Sequence, residues 1–173
     1  VVLEALRLLS DLSPTASGVA VATVQEEIGG GSGGGARSSA FGLEPDAALV
    51  VDVTFSTDVP DIEKKQLGEH NLGGGPVLSR GSAAHPVIFD LLVEVAEAED
   101  IAHTIQASPR STRTDADSIY LTRSGVPTGL VSVPNRYMHS PNEIVSLTDL
   151  ESAARLLAAF VMSLDEDTDF TPR

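Results

Sequence analysis

Short apolar runs of strand length alternate with segments of helical periodicity along this chain, and that alternation confines it to the α/β class, helices covering a largely buried sheet. The strand-like runs are Gly18 to Gln25, Ala47 to Thr54, Ala102 to Ala107 and Thr128 to Val133. Helical spacing marks Val1 to Leu12, then Pro86 to Glu99 through Val87, Ile88, Leu91, Leu92 and Val95. It returns in Ser146 to Leu164, with Leu150, Ala153, Ala154, Leu157 and Val161 along one face. Thr114 to Thr122 fits a short helix, and the polar tail after Leu164 is expected to fray. Nothing before Val1 caps the opening helix and no methionine starts it, so the sequence is expected to be part of a longer protein.

At 173 residues the chain is one domain by length. Its net charge of −14, from 25 acids against 11 bases, repels phosphate backbones and anionic lipid, so neither nucleic acid nor membrane is an expected partner. With no Trp there is little to stack bases on. No Cys means no disulfide, no thiolate ligand and no Cys nucleophile, which leaves carboxylate and imidazole as the metal ligands. No apolar run approaches the roughly 20 residues of a membrane span, and no basic leader opens the chain, so a soluble cytoplasmic protein is expected.

Acids stand where apolar runs stop: Glu26 and Glu27 after Val24, and Asp52 near the end of the second run. In open α/β sheets such strand ends are where side chains converge on ligands. Adjacent strand residues point to opposite faces, so Glu26 and Glu27 can serve one site only if the chain turns there, and Gly29 can supply the turn. One acid could then bind metal while its neighbour acts as general base, the division of labour of metal-assisted hydrolysis. The plainer alternative is a solvated pair of acids and a turn residue.

Residues 29 to 35 read Gly-Gly-Gly-Ser-Gly-Gly-Gly, the composition of a flexible tether spanning about 14 Å. Gly29, Gly31 and Gly34 also satisfy the dinucleotide fingerprint with Asp52 as the ribose acid. That reading is disfavoured, because Glu26 and Glu27 would face the pyrophosphate and Ala36 to Gly42 looks too short and polar for a phosphate-binding helix. Isolated histidines are read as structural: His70 solvated in a polar loop, His85 at a helix start, His103 on a strand. No nucleophile elbow surrounds a serine and no P-loop lysine follows the glycines.

Val24 to Gly29, Leu49 to Thr54, Leu72-Gly73-Gly74-Gly75-Pro76, Thr114-Asp115-Ala116 and Arg136 to Pro141, taken together and in this order, resemble the tetrahedral aminopeptidases. These are dinuclear metallopeptidases that include glutamyl and deblocking enzymes, some of them once described as endoglucanases. The resemblance implies a three-layer αβα sandwich, phosphorylase/peptidase-like, with a mixed, mostly parallel sheet. This chain would be the C-terminal part of the catalytic domain (residues 1–173), truncated at the N-terminus and without the oligomerisation domain.

The resemblance further implies that Glu26 is the general base, that Glu27 and His139 share one metal and that Asp52 binds the other. Two divalent ions, Zn²⁺ or Co²⁺, suit such a set of oxygen and nitrogen ligands. Asp115 matches an acid near the substrate, its ordinary alternative being a helix cap. Peptides with free amino termini would be the substrates, and the full protein could form a homo-oligomer. A His and a bridging Asp of the family pattern would precede Val1, and Arg113 stands where the family usually has Gly. The competing expectation is a catalytically inactive, truncated or redesigned α/β scaffold or interaction module with an incomplete metal site.

Overall fold

The computed structural model describes residues 1–29 and 34–172. Its middle layer is a mixed sheet of β1 (Ala48–Phe55), β2 (Val77–Gly81), β3 (Thr104–Ser108), β4 (Thr128–Arg136) and β5 (Ile144–Val145). The order is β1-β4-β2-β3, with β5 beside the end of β4. β1 runs parallel to β4 along its whole length, from Ala48 opposite Thr128 to Phe55 opposite Asn135, and β2 runs parallel to β3. The antiparallel contacts are short: Val77 and Leu78 of β2 opposite Ser132 and Val131, and β5 against Asn135 and Arg136. Sheet and helices thus form the mixed αβα architecture expected.

Helices α1 (Val2–Ser10), α5 (Pro86–Ala98) and α7 (Leu147–Ser163) cover one face. Pro86 opens α5 where a missing N–H costs nothing, and Ile88, Leu92 and Val95 recur at helical spacing among its buried residues. They join Leu78, Val131 and Val133 of the sheet and Leu156 and Phe160 of α7 in the main core. Truncating a buried leucine such as Leu156 to alanine would cost about 2–5 kcal/mol. Gly129 lets α5 approach: a Cβ there would lie 2.6 Å from Ile88 and 2.8 Å from Leu49.

The opposite face carries α2 (Glu26–Gly29), α3 (Gly34–Leu43) and α6 (Ala116–Ile119), while α4 (Lys64–Leu67) is a single turn in the β1–β2 connection. Its core is small, Val50 and Leu130 of the sheet meeting Ala83, Ala116, Ile119 and Tyr120. No described helix is long and apolar enough to cross a membrane.

Several expectations change. Gly18 to Gln25 is irregular rather than a buried strand, with Val19 and Val24 68% and 64% exposed. β-branched composition suits a pleated surface only where a ladder partner exists, and no described strand pairs with this segment. Its end is held by side chains and glycine instead: Thr23 Oγ1 donates to Asp115 Oδ2 at 2.6 Å, and the Gly35 N–H donates to the Val24 carbonyl at 2.8 Å. A Cβ on Gly35 would sit 2.7 Å from the Val24 nitrogen. Gly34 and Gly35 therefore begin α3 and are not free tether, whereas residues 30–33 of the expected tether, and with them Gly31 of the fingerprint, lie outside the described residues. α3 is also longer than Ala36 to Gly42 suggested, because Ala36 and Ala40, one turn apart, are both buried.

β2 is a strand that periodicity did not reveal, since Val77, Leu78 and Ser79 are all buried and show no alternation. His70 is buried rather than solvated, its ring bonded to Thr104 Oγ1 and the Leu67 carbonyl, both at 2.7 Å. His103 lies one residue before β3.

Candidate active site

Alternation along β1 puts Val50, Asp52 and Thr54 on one face, and the register with β4 adds Leu130 and Ser132 to it. Val50 and Leu130 pack on Ala116 of α6. One step further along the strands the apolar pair gives way to Asp52 and Ser132, then to Thr54, whose hydroxyl donates to Gln106 Oε1 at 2.9 Å. A polar floor is thus built into the C-terminal half of β1 and β4, beside the start of α6. Asp52 is an interior strand residue, not a strand-end one, because β1 continues to Phe55. Glu26 and Glu27 likewise form the first turn of α2 instead of ending a strand.

Asp115 occupies the N-cap position of α6 without making a cap hydrogen bond. Its carboxylate accepts from Thr23, which ties the segment before Glu26 to α6. Arg113 adopts φ 61, a left-handed conformation that favours glycine, which accounts physically for a glycine in the pattern it departs from. His139 lies in the turn after β4 with φ 64, and its Nε2 is 3.4 Å from Glu27 Oε2, both side chains largely exposed.

Four chain segments therefore come within electrostatic reach of one another beside the polar floor. Burial pushes the Glu26 carboxyl above its ordinary value, and the charges of Asp52, Glu27 and Asp115 add to the rise against the opposing pull of His139. Asp52 is raised in the same way, chiefly by burial and then by Asp115 and Glu27, although the Val53 N–H at 2.7 Å favours its charged form. Carboxylates raised by burial and by neighbouring acids, with no Lys or Arg among these causes, are the electrostatic signature of a cation site or of an acid–base centre. The donor chemistry fits a divalent ion: carboxylate oxygens and one imidazole, with Glu27 and His139 already adjacent. Among the described residues, however, no three such side chains converge closely enough to enclose an ion by themselves.

Three acids that motif reading passed over frame it. Asp58 is held far below the usual carboxylate range, first by the Arg136 guanidinium, which donates through Nε at 2.9 Å and Nη2 at 2.5 Å. Ser56 Oγ and the Leu72 N–H complete its shell. Asp149, in the first turn of α7 and buried, accepts from the Gly73 and Gly75 N–H groups at 2.9 Å each. Gly75 has φ 84 and no room for a side chain, since a Cβ would lie 1.7 Å from the Ala102 carbonyl. Glu143 accepts from the His139 N–H at 2.5 Å and from Asn135 Nδ2 at 3.1 Å. Only Glu143 left a trace in the sequence, four residues after His139 in the same polar loop.

Comparison with known proteins agrees with this fold. The sequence model of the M42 glutamyl aminopeptidases matches residues 1–156. A lysyl aminopeptidase of Pyrococcus furiosus is 38% identical over 152 residues, covering 88% of this chain and 42% of that protein. The crystal structure of a TET aminopeptidase from a marine sediment Thaumarchaeota archaeon superposes with a TM-score of 0.87 at 30% identity, over 96% of this chain and 46% of that one. The TET1 peptidase of Pyrococcus horikoshii, which assembles into a tetrahedron or a large octahedral shell, superposes at 0.63 and 28% identity over 82% of this chain and 40% of that one. The chain thus spans less than half the length of the relatives it matches.

Proposed function

The chain belongs to the M42 glutamyl aminopeptidase family, and from that membership we propose that the full protein is a metal-dependent aminopeptidase removing N-terminal residues from peptides, with Glu26 as its general base. The observation that carries the reading is the meeting of Glu26, Glu27, Asp52, Asp115 and His139 in one electrostatic field over the polar floor. Glu27 and His139 would hold one divalent ion and Asp52 a second, Zn²⁺ or Co²⁺, the remaining ligands coming from elsewhere in the full protein. Bound there, such ions polarise the scissile carbonyl and acidify water.

Glu26 is suited to its role by its raised pKa, because a base works best when its pKa approaches the operating pH. Its task is to take the proton of the attacking water and then deliver it to the departing amine. Asp115, fixed by Thr23, faces the same space and adds negative potential where a free α-ammonium would bind. A homo-oligomeric, cytoplasmic enzyme is part of the same proposal. An inactive scaffold, the competing view, gains no support from a face to which three segments bring acids and a fourth a histidine.

Full-length protein assayed on aminoacyl chromogenic substrates should turn over, lose activity to chelator and regain it with Zn²⁺ or Co²⁺. Unimpaired turnover in Glu26→Ala would overturn the assignment of the base.

A further inference from the structure

The turn from Tyr137 to Ser140 is strained in a way the polar floor does not require. Tyr137 at φ 60 and His139 at φ 64 both occupy the left-handed region, which side chains with a Cβ avoid and bulky ones avoid most. Such strain persists only where the surroundings over-determine it. The turn's own bond, Ser140 N–H to the Tyr137 carbonyl at 3.0 Å, is a single constraint. The others come from outside the turn.

On the strand side, Arg136 is gripped by Asp58 through two parallel hydrogen bonds, so the chain leaves β4 in a fixed direction. On the far side Glu143 spans the turn. One oxygen takes the His139 N–H at 2.5 Å and the other takes Asn135 Nδ2 at 3.1 Å, joining the end of β4 directly to residue 139. Residues 135 and 139 are thereby clasped by one carboxylate, and the His139 ring emerges beside Glu27 at 3.4 Å.

We propose that Glu143 is the positioning residue of His139: its carboxylate closes the strained turn that presents the imidazole to the Glu27 side of the site. Glu143 touches neither substrate nor ion; it acts through the main chain of His139. The inference rests on the reading of His139 as a metal ligand given above.

Co²⁺ titration of the full-length protein, followed by visible absorption of the bound ion, separates the two ideas. His139→Ala and Glu143→Ala should each weaken binding at one Co²⁺ site, the latter by about 10–100-fold, as loss of a ligand's supporting partner does. Glu143→Gln should remain within about threefold of wild type. Its amide oxygen can still accept the His139 N–H, and its N–H₂ can serve the buried Asn135 Oδ1, which has no partner among the described residues, once the asparagine amide turns over. Glu143→Ala also takes the acceptor from the buried Asn135 Nδ2, so its unfolding midpoint should fall modestly and the titrations are made well below that midpoint. If His139→Ala binds Co²⁺ as wild type does, the ligand reading falls and this inference with it. If His139→Ala is weakened while Glu143→Ala is not, or if Glu143→Gln is as weak as Glu143→Ala, the positioning role alone is overturned.

Discussion

Asp149 and Asp52 are acids on elements of the same sandwich, and their surroundings are opposite. Asp149 is buried with one backbone N–H on each oxygen, from Gly73 and Gly75. Asp52 is half-buried and accepts the Val53 N–H, while burial and the charges of Asp115 and Glu27 oppose its ionisation. A carboxylate whose lone pairs are met by fixed amides holds chain segments together. One set among other carboxylates ionises against their charge, the setting in which functional acids are found.

The largest effect should separate the two groups by readout. Glu26→Ala in the full-length protein is expected to lower turnover by about 10²–10⁴-fold, the usual contribution of a general base, while thermal unfolding stays unchanged. A loss of stability instead of activity would place Glu26 with Asp149. The reverse experiment is Asp149→Ala, which leaves the buried Gly75 N–H without its acceptor and the exposed Gly73 N–H to water, and should cost about 1–3 kcal/mol in urea unfolding. A neutral result there would break the contrast.

Smaller effects sharpen it through pH. Asp58 is depressed in the fold, so the stability it contributes is present above about pH 4, where the unfolded chain is already ionised, and is lost as pH falls towards the folded value. Asp58→Asn should accordingly lower the melting temperature at pH 7 by several degrees and have little effect at the acid end of that range. Glu26 and Asp52 are raised, which inverts the sign. Their favourable contribution is present below about pH 4 and declines as pH rises through their raised values. Without added metal, Asp52→Asn should therefore leave stability at pH 7 unchanged or slightly increased, and added Zn²⁺ should stabilise wild type more than the variant. A melting curve in which Asp52→Asn behaves like Asp58→Asn would end the distinction.

Much of this was legible in the sequence for a physical reason. α5, α7 and β3 announced themselves because their buried faces repeat with the period of their element, and β1 and β4 because each is an apolar run of strand length. β2 did not, since Val77 to Ser79 are buried on both sides and follow a glycine run that reads as loop. Gly18 to Gln25 misled because composition reports a side chain's preference for a sheet and says nothing of whether a ladder is there to join. Glu26, Glu27, Asp52, Asp115 and His139 stand on a helix turn, a strand interior, a cap position and a strained loop, where the motifs suggested strand ends for the first three. Asp149, Asp58 and Glu143 were missed because their partners are backbone groups or lie 74 to 78 residues away, which no local pattern records.

The bond between Asp149 and the Gly73–Gly75 loop bears on how the protein is made. Its two ends are separated by 76 and 74 residues, so on a ribosome the loop is synthesised long before its anchor exists. Until α7 has left the exit tunnel those amides have only water to satisfy them, and the loop that leads into β2 lacks its anchor. A chain released before residue 149 would therefore carry an unpinned entry to the middle of the sheet, open to capture by chaperones.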